Sequence, residues 1–288
     1  MTIIRVLIIF VSVATSLTSF VAAQPKPSNV FLERLQLRFS KPAMCSLSTA
    51  CICSISDQTV SLRLISEYGS LFAAADAIRL PSRCIFENEL QVTQFQKSVR
   101  SRAEIMDATN IELQDAAMTA LLKAKTEAGK IGLRISPLDG SIAGRRSYSD
   151  TIRIWNSRYL KALDHWVRRG KITPEEAEIA RKGAVLVQIR KVMEWEKNGL
   201  NFGTNIKGSI FSSTAPPGTS QHLSMLAFDV VQYSKRSVRA IMNRQGWFQT
   251  VANDPPHFTY LGVDENELPS RGLKAIIKGG YKFWVPAI

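Results

Sequence analysis

The sequence predicts an α+β fold: helices fill most of the chain and a few strands gather toward its C-terminal end. Two observations carry this. Helical periodicity and helix punctuation run as far as Asn198, whereas β-branched and aromatic runs that read as strands cluster at 227–232 and 257–261. A composition of 45% hydrophobic and 21% charged residues is ordinary for a globular protein. There is no internal repeat and no low-complexity tract.

Residues 1–23 read as a secretory signal peptide. Arg5 gives the positive start, 6–14 an apolar core, and Val21-Ala22-Ala23 small residues before a cut near Ala23. Thr15, Ser16, Thr18 and Ser19 interrupt the run well short of the ~20 apolar residues of a spanning helix. The chain is therefore expected outside the cytoplasm, in a periplasm or at the cell surface. Its four cysteines, Cys45, Cys51, Cys53 and Cys84, form an even set in the first third, as expected of two disulfides in an exported chain. Three connectivities are open. Residues 24–100 accordingly read as a disulfide-containing accessory segment.

A helix is expected over 109–129, capped by Thr109 or Asn110, striped by Leu113, Ala117, Leu121 and Ala124, and stopped at Gly129. The alternation over 131–136 reads as a half-buried strand. A second helix spans 156–169 and carries His165 beside Trp166 on its apolar side, where an imidazole is structural. Thr173-Pro174-Glu175-Glu176 is a capping box with proline at the first helical position. The helix it starts breaks near Gly183, ends at Asn198 and is stopped by Gly199. Trp195 reads as core, and 201–219 as a loop.

The chemistry concentrates beyond that loop. Pro216-Pro217-Gly218 is a rigid turn that leads to Ser220 and His222, and Asp229 follows on a strand. Asn253-Asp254-Pro255-Pro256-His257 brings a second imidazole and a second carboxylate. Only three histidines occur in the chain, and two lie here. His222, Asp229 and His257 make a three-ligand set that leaves one position of a tetrahedral zinc open, with Asp254 free to move protons.

The run 217–222 with Ala227 and Asp229 resembles the SxHxxGxAxD motif of the VanY-type D-alanyl-D-alanine carboxypeptidases, zinc peptidases of the bacterial cell wall. Asp254-Pro255-Pro256-His257 with Tyr260 resembles that family's ExWHxxY motif, and Gly144-Arg145-Arg146-Ser147-Tyr148 its GYRSY segment. Order and approximate spacing agree over roughly 113–273. The resemblance implies a small antiparallel sheet that carries one zinc ion on His222, Asp229 and His257, packed with helices, in a peptidase domain spanning 101–288. It further implies that Asp254 is the general base and that Arg146 binds substrate near the scissile bond. Ser220 is expected to steady the loop or a ligand by hydrogen bonding. The substrate implied is the peptidoglycan stem peptide.

The sequence departs from the pattern at four places. Met225 stands for the motif glycine, Asp254 for glutamate, Arg145 for tyrosine and Pro256 for tryptophan. Aspartate at the catalytic position also occurs in related phage lysins that cut inside the wall peptide. Besides carboxypeptidase, then, the readings are a peptidoglycan endopeptidase and a non-catalytic zinc-holding wall-binding domain. The formal charge of +13 suits contact with anionic wall polymers or lipid head groups. No nucleic-acid motif accompanies it, and export argues against that partner.

Overall fold

Helix punctuation builds the first half of the chain. In the computed structural model, which describes residues 29–39, 53, 55 and 57–288, helix α1 (Val30–Arg38) starts at Asn29, whose side chain accepts from the Leu32 N–H. Helix α2 (Gln58–Tyr68) starts at Asp57, and α3 (Glu89–Ser98) at Asn88, by the same capping bond. The expected signal peptide, Cys45 and Cys51 lie outside the described residues. Cys53 and Cys84 form a disulfide. No helix among the described residues is long and apolar enough to cross a membrane.

Two expected elements differ. Residues 109–114 are not helical: β1 (Ser101–Met106) and β2 (Thr109–Gln114) form an antiparallel hairpin, and the helix, α4, covers only Asp115–Gly129. Asp107 and Ala108 make the turn with φ of 47° and 63°, the two-residue geometry that suits a hairpin. Ile111 and Leu113 are fully buried on one face of β2, so the strand period prevails over the helical stripe. Of residues 131–136, Ile131 and Gly132 form a turn, with Gly132 at φ 69°, and 133–136 form no strand. One bridge follows, from Pro137 to Val230, and the Ser136 N–H donates to the Gln232 side chain instead of a ladder carbonyl.

Helix α5 (Tyr148–Arg168) begins eight residues before the expected start. Ser147 and Asp150 form a reciprocal capping box at its head. The expected box at Thr173 and Glu176 opens α6 (Pro174–Lys182), the break at Gly183 follows, and α7 (Val185–Lys197) ends the helical half. Trp195 is buried and stacks on Phe202. His165 packs edge-on against Trp166, but it is half-buried and lines a surface hollow with Lys161 and Arg168 instead of sitting in the core.

The site is carried by a three-stranded antiparallel sheet in the order β3 (Ala227–Asp229), β5 (His257–Tyr260), β4 (Trp247–Gln249), with α8 (Arg236–Arg244) between β3 and β4 in sequence. A C-terminal hairpin of β6 (Leu273–Lys278) and β7 (Tyr281–Pro286) completes the α+β architecture. One core joins Phe31, Leu35 and Leu64 of the N-terminal helices to Trp155, Tyr159 and Trp195. A second lies beneath the sheet, where Phe228, Phe258 and Trp247 meet Leu121 of α4 and Ile241 of α8.

The Cys53–Cys84 bond closes a separation of 31 residues and ties a residue ahead of α2 to the segment that reaches the site. Replacing both cysteines with alanine is expected to lower unfolding free energy by roughly 3–4 kcal/mol, the chain-entropy scale for such a loop. Urea denaturation of the double variant against wild type measures this.

Candidate metal centre

The backbone that delivers His222 is set by a turn and two close contacts. Within Pro216-Pro217-Gly218-Thr219, the Thr219 N–H and hydroxyl both donate to the Pro216 carbonyl. Gly218 sits at φ 84°, and a Cβ there would collide with the Phe86 carbonyl. Only glycine admits this approach, in which the Phe86 N–H donates to Gly218 O at 2.9 Å. A short helical turn, Gln221–Ser224, then carries His222. Met225 follows at φ 56° and ψ 32°, in the left-handed region, and turns the chain into β3. Where the resembled motif has glycine, a fully buried methionine occupies this left-handed position.

Strand pairing brings the ligands together. Asp229 ends β3 directly opposite His257 at the start of β5. His222 Nε2 lies 3.1 Å from His257 Nδ1, and Asp229 Oδ1 lies 3.3 Å from the first and 3.1 Å from the second. All three residues are buried, and they form a group that could hold a metal ion.

The far nitrogen of each ring fixes which one faces inward. His222 Nδ1 is 2.8 Å from the Gly144 carbonyl, which can only accept, so that nitrogen carries the proton. His257 Nε2 is 2.8 Å from Gln221 Oε1, which also accepts from the Thr259 and Thr250 hydroxyls while Gln221 Nε2 donates to Tyr68 O. Both inward nitrogens are therefore lone pairs. Two lone pairs and a carboxylate oxygen face one another with no donor between them, an arrangement that a cation completes. Their separations fit as well: an ion with ~2.0–2.1 Å bonds in tetrahedral geometry sets its ligand atoms about 3.3 Å apart.

Charge supports the same reading. Burial lowers the His222 pKa to about 4, helped by the Arg146 charge, so the ring is neutral and able to ligate at neutral pH. Burial pushes the Asp229 carboxyl up, yet it is held well below the usual range, and the permanently charged Arg146 contributes to that. Arg146 Nη2 donates to Asp229 Oδ2 at 2.6 Å, which leaves Oδ1 for the centre. Arg146 Nε donates to Ile142 O, and Nη1 has no partner among the described residues. Arg146 is held just ahead of the Ser147 cap, so the start of α5 positions it.

Asp254 lines the same cleft, of about 500 Å³, with Arg146, Ser220 and the three ligands. Asn253, at φ 75°, shapes the turn that presents it. Its carboxyl is raised to about 6, by burial first and by the Asp229 charge second, against His257, Arg146 and Arg158.

The support expected of Ser220 comes from its neighbour. Ser220 lines the cleft, but its hydroxyl has no hydrogen-bond partner among the described residues, whereas Gln221 orients His257. Gln96 of α3 is a further residue missed in the sequence. Its amide donates to Arg146 O and Leu223 O, which clamps the arginine loop to the His222 turn. Neither glutamine has a local sequence signal; only the tertiary neighbours reveal them.

Compared with family models, curated proteins and solved structures, the chain matches none.

Gln221→Ala removes the acceptor that holds the His257 tautomer. Affinity for a divalent metal is expected to fall about 10- to 100-fold, the usual cost of losing such a partner. Competition against a chromophoric chelator measures it, with circular dichroism to confirm the fold.

Proposed function

We propose that the chain is an exported zinc-dependent peptidase that hydrolyses peptidoglycan stem peptides, acting as a D-alanyl-D-alanine carboxypeptidase. The observation that carries this reading is the convergence of His222 Nε2, His257 Nδ1 and Asp229 Oδ1 in one cleft with a carboxyl, Asp254, whose pKa is raised to about 6. A two-imidazole, one-carboxylate set suits zinc and leaves a coordination position open, as hydrolytic centres do. The resemblance of the 217–229, 254–260 and 144–148 segments to the VanY-type enzymes supplies the substrate class. The Cys53–Cys84 disulfide accords with export.

Zinc, when bound by His222, Asp229 and His257, supplies Lewis-acid activation of water and of the substrate carbonyl. Asp254 accepts the proton of the attacking water and delivers it to the nitrogen of the leaving amine as the C–N bond breaks. A carboxyl poised near 6 is a carboxylate at neutral pH and still basic enough for that transfer. Arg146 holds Asp229 ionised, and its Nη1 is free to donate to substrate oxygen. Gln221 and Gly144 keep both imidazoles in the ligating tautomer.

One observation favours the endopeptidase reading. The 2.6 Å contact with Asp229 commits much of the Arg146 guanidinium, the group expected to receive a terminal carboxylate. Mass analysis of digested peptidoglycan separates the two: loss of single alanines marks the carboxypeptidase, and paired larger fragments mark the endopeptidase. A protein that holds zinc and releases neither is the wall-binding domain.

Asp254→Asn keeps the shape of the side chain but cannot accept a proton. It is expected to retain one zinc and lose about 100-fold or more in turnover on wall peptide, measured with metal content on the same sample. The wild-type rate rises with pH as Asp254 deprotonates. A bound cation favours the carboxylate, so the acid limb is expected at or below about pH 6. A pH–rate profile of the zinc-loaded protein reads it.

A further inference from the structure

Arg158 lines the cleft at the metal centre. This residue also lines a second hollow, of about 650 Å³, that continues along α5. Arg158, Lys161, His165 and Arg168 of the helix line it, at spacings of three, four and three that put all four on one face. The opposite wall is the segment 203–206, closed on itself by the Gly203 N–H donating to Gly208 O, and it carries no charged side chain. His165 is held edge-on against Trp166.

The cations of this groove differ from their neighbours. Arg153 pairs with Asp150 at 3.1 Å, and the one acid in the groove, Asp164, is taken by Arg181 at 2.8 Å. Arg158 donates only to the Ser157 hydroxyl. Arg158, Lys161 and Arg168 have no carboxylate partner among the described residues. At the cleft end, Arg158 and Asp254 line the same cavity. Three positive charges without a carboxylate ion-pair partner among the described residues thus lead away from the candidate base, along two hollows that share Arg158.

We propose that this groove binds the acidic portion of a peptide whose scissile bond lies at the metal centre. The substrate class is therefore a peptide with two or more carboxylates to one side of the bond that is cut. Dimensions agree: Arg158 to Arg168 spans ~15 Å of helix, the length of four or five extended residues. Carboxylate-bearing side chains on alternate residues of an extended strand would face the helix, and the uncharged wall would contact the peptide backbone. Complementary charge of this kind selects the partner and raises its capture rate. The proposal rests on the peptidase reading for what happens to the ligand, but not for its binding.

The test uses the full chain and a fluorescein-labelled hexaglutamate, read by anisotropy with and without zinc, so a protein that cleaves nothing still reports on the groove. The R158Q/K161Q/R168Q variant is expected to bind about tenfold more weakly, the combined scale of three exposed ion pairs. K123Q/K125Q/K130Q, which removes the same charge from α4 and its C-cap, should bind as wild type does. If the peptidase reading also holds, a stem peptide with its side carboxylates amidated should show a raised KM with kcat unchanged. The groove variant should then no longer distinguish it from the free acid. Wild-type affinity in the groove variant overturns the proposal, as does an equal loss in the α4 variant. Tighter binding of an oligonucleotide or of anionic lipid vesicles through the same three residues also overturns it, because the groove would then serve phosphate and not carboxylate.

Discussion

The pairing of Asp229 with His257 across β3 and β5 is the constraint on which the site depends. Side chains alternate along a strand, so a shift of one residue would turn both ligands to the opposite face and bring Phe228 or Phe258 into the cleft. β3 has only three residues, too few to hold a register alone. The register is extended by the Val230 N–H donating to Pro256 O and the Tyr260 N–H donating to Leu226 O. It is secured from below by Phe228, Phe258 and Trp247, which are fully buried against α4 and α8. The apolar face of the sheet thus keeps the polar face in order, and core packing is what holds three mutually repelling acceptors together.

The N-terminal segment takes part in the same arrangement. Tyr68, at the end of α2, accepts from Gln221 through its carbonyl and donates through its hydroxyl to Phe211 O, joining the His257 support to the cleft wall. Phe86, two residues beyond Cys84, meets Gly218 backbone to backbone. Gln96 bridges the arginine loop and the His222 turn. Residues that read as accessory from their cysteines therefore make direct contacts with the candidate centre, and the disulfide lies along one of those routes.

How much of this is legible in the sequence varies with how local the cause is. His222, Asp229 and His257 stand out because histidine is rare in this chain and each lies beside prolines or a strand-like run. The caps at Thr173 and Ser147 are equally local, each a hydroxyl three residues before the carboxylate that closes its capping box. The β1–β2 hairpin is concealed by Leu113, which falls on the helical stripe of α4 and on the buried face of β2 at once. β4 is too short for any period to show. β6 and β7 are announced by Gly279-Gly280, both at positive φ, but β6 is mostly solvent-exposed and has no apolar alternation to match. Gln96 and Gln221 act on partners far along the chain, so no window around them contains the reason for their presence.

Met225 has a consequence for how this loop tolerates change. A methionine in the left-handed region bears a conformational strain of ~1–2 kcal/mol that glycine would not. Yet its side chain is wholly enclosed, and removing it would leave a void of the kind that costs more than the strain. Neither residue can be exchanged for the other without a compensating change among the neighbours that fill or vacate the space. The position is thus coupled to its surroundings, and the effect of a substitution at Met225 depends on what its neighbours are, so single and combined changes here do not add.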